Sequence, residues 1–417
     1  MNMQRIFSAK HGLYVFIIFL LVSKGVFAAE QHGLVSFEDY YSNDSSSAYD
    51  INLLTTRIRW DASKLNKGEN LSFHFDGRER FNIGSKDYNS GIKQERIDTL
   101  NFEYTGISPL YIAVGRLWPK ELFIERADGV NLVFQGRKLG IGIFAGTKPD
   151  PYTEELNSDF STAGGYIFCR REDLFANLAY IYNGYKGRTD REYIYGQSSF
   201  SPLKQVRFYG SFTVDINQFE DKVDLTNAIA ELSYRPDYRK SLTVGYNQFQ
   251  AFRLYRSMEF VLQDSRQQSY YLRGDYRLLD RYTVYGRYER QTLHYQTLEP
   301  KLSASDIYQI GFRDDNLLNR HIDVDVSMTM ADNYSSSYTL YNIQASRFLT
   351  EAFQLIFSGS SMETKYDLSD YTDQILTYGV SGYWSLNRKW SLSLSYEGRD
   401  AKDYITDTIL SRISYKF

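Results

Sequence analysis

The chain ends in a short stretch with a two-residue alternation, Ile409-Leu410-Ser411-Arg412-Ile413-Ser414-Tyr415-Lys416-Phe417. The odd-numbered positions are apolar except for Ser411, and the even-numbered positions are polar except for Leu410. Successive side chains of a β-strand point to opposite faces. The stretch therefore predicts a strand with apolar surroundings on one side and water on the other.

The same alternation recurs along most of the chain. Residues Ile322–Met330 alternate without exception, and Leu71–Arg78 places Leu and Phe opposite His, Asp and Arg. Short connections such as 136–138 and 171–173 take turns with longer polar ones such as 184–192 and 251–267. A tilted strand that crosses a bilayer needs about 9–11 residues, which is the length of these segments. The pattern predicts an all-β fold in which strands rather than helices cross a membrane.

The chain terminus resembles the insertion signal of Gram-negative outer-membrane β-barrels. Ile413, Tyr415 and Phe417 carry this resemblance, because they place alternating apolar residues before a terminal aromatic. Over its mature length the chain resembles the porin-like type of these barrels, with no particular family indicated. The resemblance implies a single transmembrane antiparallel β-barrel. Its ten short turns and eleven longer loops predict about 22 strands, in a range of about 18 to 24, with both termini periplasmic.

The amino-terminal segment has the features of a secretory signal. Arg5 and Lys10 precede an apolar run from Leu13 to Val22, and small residues follow up to Ala28. A retained helical anchor fits less well, because this run is short for a membrane span. We expect residues 1–28 to be a cleaved signal peptide and residues 29–417 to form one barrel.

Composition supports a membrane barrel and argues against several other classes. The chain has 37 Tyr, 27 Phe and only 7 Pro, with a mean hydropathy of −0.46. A barrel explains this combination, since it needs apolar side chains at only every second position and places aromatics at the membrane interfaces. Loss of the signal peptide changes the formal net charge from −3 to −6. The absence of a basic block excludes nucleic acid as an expected partner.

Charged residues occupy the parity opposite the apolar side chains, and we expect them to line the interior. They include both signs, and could form transverse rows of charge in a water-filled lumen. Alternatively, they are mutually paired wall charges that only solvate the interior. The mixture leaves charge selectivity open. The pore-lining candidates are Asp76, Arg78, Arg80, Glu103, Arg207, Asp215, Arg273, Asp275, Arg277, Arg287, Glu289, Arg313, Asp323, Asp325, Glu397 and Arg399.

Two further segments suggest local roles. The loop Pro119–Asp128 carries apolar residues where the other loops are mostly polar, so it either folds inward and narrows the pore or packs on its neighbours. The strand Leu139–Gly146 has glycine at 140, 142 and 146, which gives it one small-residue face. Such a face leaves room for something against the wall.

The sequence predicts no enzyme, no metal site and no cofactor. Its single cysteine, Cys169, excludes an intrachain disulfide and cysteine-based haem, iron–sulfur or zinc sites in this chain alone. His74 near Asp76, and His294 in a loop, are the only candidates for histidine catalysis, and neither belongs to a metal-binding spacing.

These observations favour an outer-membrane channel for passive diffusion of small hydrophilic solutes. The alternative is a structural sheath around a separate protein, which resembles the barrel of a porin–cytochrome electron conduit. In either case, the expected partners are outer-membrane lipid and lipopolysaccharide, the barrel-assembly machinery and, for the sheath, a periplasmic or lumen-housed protein. Whether the lumen is open or occupied is not determined by the sequence.

Overall fold

The computed structural model describes residues 30–46, 50–83, 95–122, 124–151, 153–217, 221–252, 254–257, 265–295, 301–333, 335–367, 369 and 371–417. The predicted signal peptide, residues 1–28, lies outside these ranges, and its cleavage stays a prediction. No helix within the described ranges is long and apolar enough to cross a bilayer.

The described residues form 22 β-strands, and alternating apolar and polar side chains account for their regular two-sided character. The strands are β1 (Glu30–Asp44), β2 (Ile51–Ser63), β3 (Leu71–Asn82), β4 (Glu95–Ile107), β5 (Leu110–Leu117), β6 (Ala127–Gln135), β7 (Leu139–Thr147), β8 (Phe160–Arg170), β9 (Leu174–Tyr185), β10 (Arg188–Leu203), β11 (Val206–Asn217), β12 (Lys222–Asp237), β13 (Lys240–Gln250), β14 (Ser265–Leu278), β15 (Tyr282–Tyr295), β16 (Lys301–Asp314), β17 (Ile322–Asp332), β18 (Ser336–Thr350), β19 (Phe353–Tyr366), β20 (Thr372–Ser385), β21 (Trp390–Ala401) and β22 (Ile405–Lys416).

Every strand pairs antiparallel with its neighbour in sequence, and β1 also pairs with β22. The closing register sets Phe37 opposite Ile413 and Glu38 opposite Arg412. Closure leaves no unpaired strand edge, which is what a sheet in lipid requires. The prediction of a porin-like, 22-stranded antiparallel barrel is therefore confirmed at the level of the fold. The side of the membrane on which the termini lie stays a prediction.

The outer wall is apolar. Ile141, Ile143 and Ile167 are each more than half exposed on the outer faces of β7 and β8. Ile413 and Tyr415, two of the three predicted insertion-signal residues, lie on the outward parity of β22, where Ile413 pairs with Leu392 and Tyr415 with Trp390. An apolar surface that encircles the barrel is suited to contact with lipid hydrocarbon, because its exposure to water would be unfavourable.

The connections differ between the two ends of the barrel. The end that carries the termini has mostly tight turns, whereas the other end has the longer connections 83–94, 118–126, 148–159 and 251–264. The prediction of a long loop at 184–192 is wrong. β9 and β10 continue to a two-residue turn, Lys186-Gly187, where φ is 50° and 76°. Gly187 suits this turn because glycine adopts positive φ at little cost.

Candidate functional site

The loop between β5 and β6 folds into the lumen. Its residues 118–122 and 124–126, together called the inward loop, pack on the inner wall formed by β5 to β10. Leu122 is fully buried and lies in one hydrophobic cluster with Leu117, Val133 and Ile181. The main apolar core of this barrel is thus inside the lumen rather than between two sheets. Burial of such side chains stabilises the loop position by about 1.5–3 kcal/mol each.

The buried carboxylate of Glu125 holds the part of the inward loop next to β6. The Glu125 carboxylate accepts hydrogen bonds from Tyr193 Oη at 2.6 Å and Asn183 Nδ2 at 2.9 Å. Lys148 Nζ lies 3.0 Å from the second carboxylate oxygen. Burial disfavours ionisation, but the Lys148 charge and the donors outweigh it and hold the pKa of Glu125 below its ordinary value of 4.5. The loop is therefore attached to the wall by a charged group whose bonds are satisfied.

The tip of the inward loop is held by a second set of polar contacts. Glu121 forms an ion pair with Arg170, and its backbone carbonyl accepts a hydrogen bond of 2.6 Å from Asn177 Nδ2. Lys120 donates to Gln135 Oε1 at 3.2 Å, and its ammonium lies 4.3 Å from the centre of the Tyr111 ring. These partners belong to β5, β6, β8 and β9. The tip is consequently fixed against several strands at once.

The glycine face of β7 is filled by the chain itself. A Cβ at Gly142 would come within 2.2 Å of Tyr166 Cζ, and one at Gly140 would come equally close to Phe168 Cζ. Tyr166 and Phe168 are buried on the neighbouring strand β8, in the cluster beneath the inward loop. The small-residue face accommodates these rings. The prediction of free space at this wall is therefore wrong.

A second lumenal contact, which the sequence reading missed, involves the connection after β13. Arg256 donates its backbone N–H to Asp190 Oδ1 at 3.1 Å, and its guanidinium lies 3.6 Å from Oδ2. The guanidinium of Arg191 lies 3.6 Å from the centre of the Phe252 ring. Asp190 and Arg191 lie at the start of β10, which also contacts the inward loop. The aromatic residues Phe252 and Tyr255 were the available signal in this connection, as the apolar residues were in Pro119–Asp128.

The register places all sixteen predicted pore-lining residues on the lumen-facing parity, a placement that follows from the continuous pairing around the barrel. Several pair with a neighbour on the same face. Asp215 accepts two hydrogen bonds from Arg191, and Arg313 lies 2.8 Å from Asp325. Further pairs are Arg273 with Asp275, Arg287 with Glu289, and Arg277 with Asp315. Their participation in solute passage stays a prediction.

Arginines stand directly opposite one another on β2, β3 and β4. The register aligns Arg57, Arg78 and Arg96 in one row on the inner wall. Asp76 accepts bidentate hydrogen bonds from Arg57 at 2.8 and 2.7 Å, and Arg96 pairs with Asp98. Within the described ranges, Arg78 has no carboxylate within 4.0 Å. Like charges in cross-strand positions are destabilising, so this row needs water or a mobile anion to screen it.

The remaining candidates are more dispersed. Arg80, Arg207, Asp323, Glu397 and Arg399 form no ion pair with another described residue. Glu103 lies 3.7 Å from His74 Nε2. His74 pairs with Asp61 at 2.7 Å, whereas the nearby Asp76 accepts its hydrogen bonds from Arg57 and Arg59.

Comparison with known proteins concerns the fold. The fold of this chain is similar to that of a bacterial porin. That protein is a BenF-like porin from Pseudomonas fluorescens Pf-5, with 8% identity, a TM-score of 0.49, and coverage of 94% of this chain and 98% of that one. Pseudomonas aeruginosa OpdQ is similar over 94% and 99% of the two chains, with 7% identity and a TM-score of 0.48. No protein-family model matches the sequence, and no curated protein matches it. At these identities the similarity concerns the fold alone.

Proposed function

We propose that this protein is an outer-membrane channel for the passive diffusion of small hydrophilic solutes. The observation that carries the proposal is the division of the lumen into two sectors. The inward loop covers the inner wall of β5 to β10 with an apolar core. The inner faces of β11 to β22 and β1 to β3 carry many charged and hydroxyl side chains, and they lie outside this apolar core.

The width of the barrel supports this proposal. Barrel diameter rises with strand number, and barrels of about 16–18 strands already leave an aqueous channel unless a separate element plugs them. In a barrel of 22 strands, the inward loop narrows the lumen while the opposite wall stays lined by groups that water can solvate. A hydrated solute would pass along that polar wall without losing all its hydrogen bonds at once.

The sheath alternative draws less support from the same contacts. A protein threaded through the barrel would share the lumen with the inward loop, which is held on the inner wall by Asn183 and Asn177. The glycine face of β7, where a partner protein could have approached the wall, is filled by Tyr166 and Phe168. The proposal assigns no catalytic step to the chain, and its partners are outer-membrane lipid, lipopolysaccharide and the barrel-assembly machinery.

Conductance of the purified barrel in planar bilayers tests the proposal. We expect ohmic single-channel currents from the wild-type protein, and larger currents after deletion of Lys120–Arg126, because the deletion clears the lumen. Replacement of Lys64–Asn70, an equally long turn at the opposite end, by a Gly/Ser linker is the control and should leave the current unchanged. Absence of wild-type current would overturn the channel proposal. An unchanged current in the folded deletion variant would overturn constriction by the inward loop.

A further inference from the structure

A cavity of about 580 Å³ opens on the lumenal side of β12 to β15, at the end of the barrel that carries the tight turns. Its lining comes from the inner faces of these strands and from the turn Tyr238-Arg239. None of the residues that line it contacts the inward loop, whose wall is formed by β5 to β10. The cavity is thus separate from the constriction, and faces the lumen close to one mouth of the barrel.

The lining of this cavity is strongly basic. Six of its residues are basic and two are acidic. Both acids are already engaged, since Glu231 accepts a hydrogen bond of 2.7 Å from Tyr271 Oη and Asp275 accepts one of 2.9 Å from Ser241 Oγ. Within the described ranges Arg235 has no carboxylate partner. The cavity therefore offers more N–H donors than its own carboxylates can satisfy.

The sheet register concentrates part of this charge at one height. Arg273 and Arg287 are direct cross-strand partners, and Thr243 stands next to Arg273 in the same row. Opposed like charges destabilise a sheet, and each arginine reduces this cost by bonding one acid of its own strand, Asp275 or Glu289. The Arg287 guanidinium also lies 4.5 Å from the centre of the Tyr271 ring, which orients it.

These contacts leave donors available to a ligand. A guanidinium carries five N–H groups in a planar fork. Among the described residues, Arg287 donates a side-chain hydrogen bond only through Nη2, to Glu289. Thr243 and Thr283 add hydroxyls to the same lining. Planar forks bind carboxylate and phosphate oxygens in pairs, and an ionised acceptor makes such bonds about twice as strong as neutral ones.

We propose that this cavity is a binding site for a small organic anion whose carboxylate or phosphate is held between Arg273, Arg287 and Arg235. The inference deepens the proposed function, because it assigns a solute class to one part of the channel wall. The site would concentrate anions at the mouth, where a solute leaves or enters the lumen. Its hydroxyls suit a ligand that carries oxygen acceptors beyond the anionic group.

Calorimetric titration of the full-length barrel in detergent micelles tests the site without relying on conduction. The probes are glutarate, inorganic phosphate and, as a cationic control, putrescine. We expect saturable binding of glutarate or phosphate and none of putrescine. Arg273→Gln/Arg287→Gln should weaken anion binding by about tenfold or more. The charge-matched control, Arg320→Gln/Arg412→Gln, removes two positive charges elsewhere and should change it by less than about twofold.

Two results would overturn the site. One is a wild-type barrel that binds neither anion, and the other is an equal loss of affinity in the two double variants, which would indicate general attraction to a positive lumen. Heat-dependent gel mobility verifies that each variant is folded. Arg235→Gln breaks no ion pair and serves as a second variant, with a several-fold loss expected. Anion binding without measurable wild-type current would support the site while overturning the channel, so the two proposals fail separately.

Discussion

The ring of Phe417 lies over Gly33, and the two residues exchange backbone hydrogen bonds of 3.1 Å in both directions. A Cβ on Gly33 would come within 2.1 Å of Phe417 Cζ. The carboxyl-terminal aromatic residue therefore also forms part of the seam where β1 meets β22. Its predicted role as an insertion signal, together with Ile413 and Tyr415, is a separate property that stays a prediction.

Gly33→Val should weaken this seam. The added side chain must displace the Phe417 ring, and overpacking of this kind typically costs about 1–3 kcal/mol. We expect a lower temperature for the loss of the compact, fast-migrating form on gels. Gly274→Val is the control, because a Cβ at Gly274 meets nothing within 4 Å. Equal loss of stability in the two variants would show that the ring contact at the seam is unimportant.

The inward loop should detach at acidic pH. Because the pKa of Glu125 lies below 4.5, its stabilisation of the loop is complete above that pH and is lost as pH falls through the lowered value. We expect steady single-channel current at neutral pH, and fluctuating, larger current only in strongly acidic solution.

Glu125→Gln isolates the carboxylate in that pH response. The amide cannot form the ion pair with Lys148, whose side chain is 31% exposed. We expect a loss of about 1.5–3 kcal/mol, the range for a hydrogen bond to a charged group. The variant should therefore show current fluctuations already at neutral pH. A wild-type acid response that persists unchanged in this variant would assign the response to another group.

Arg78→Gln should make the channel less favourable to anions. Arg78 stands between Arg57 and Arg96 without a carboxylate partner among the described residues, so its charge acts on passing ions. We expect the anion-to-cation permeability ratio, from reversal potentials in a salt gradient, to fall by roughly twofold. Arg320→Gln, in the exposed turn before β17, removes the same charge and should have little effect. A shift of equal size in both variants would contradict a role for the row.

Gly142→Ala should loosen the apolar core under the inward loop. The new Cβ would meet the Tyr166 ring at about 2.2 Å, and displacement of this ring costs about 1–3 kcal/mol. Gly165→Ala is the matched control on the adjacent strand, because its Cβ would have no neighbour closer than 4.0 Å. We expect protease cleavage within the loop to accelerate in the first variant only. Equal cleavage rates would show that the ring does not support the loop.

The sequence alone determined the barrel and the direction in which its charges point. The alternation of Ile322–Met330 already separates the inner and outer faces of β17. The same rule predicts an interior position for the sixteen pore-lining candidates. This was possible because side-chain direction in a strand follows from parity, a property of adjacent residues. Closure followed from the same reasoning, since strands in lipid tolerate no free edge.

Only the tertiary structure decided what occupies the lumen. The contacts of Glu125 reach Asn183 and Tyr193, which are 58 and 68 positions away. The partner of Arg256, in the connection after β13, is Asp190 of β10, 66 positions away. Parity cannot predict such contacts, because a loop's destination depends on complementary groups that closure of the barrel brings together. The packing of Tyr166 and Phe168 on the glycine face of β7 depends on the register between strands. So does the position of Arg273 opposite Arg287 at the cavity. Register is set by the sum of pairings around the barrel, so it is not readable from any one segment.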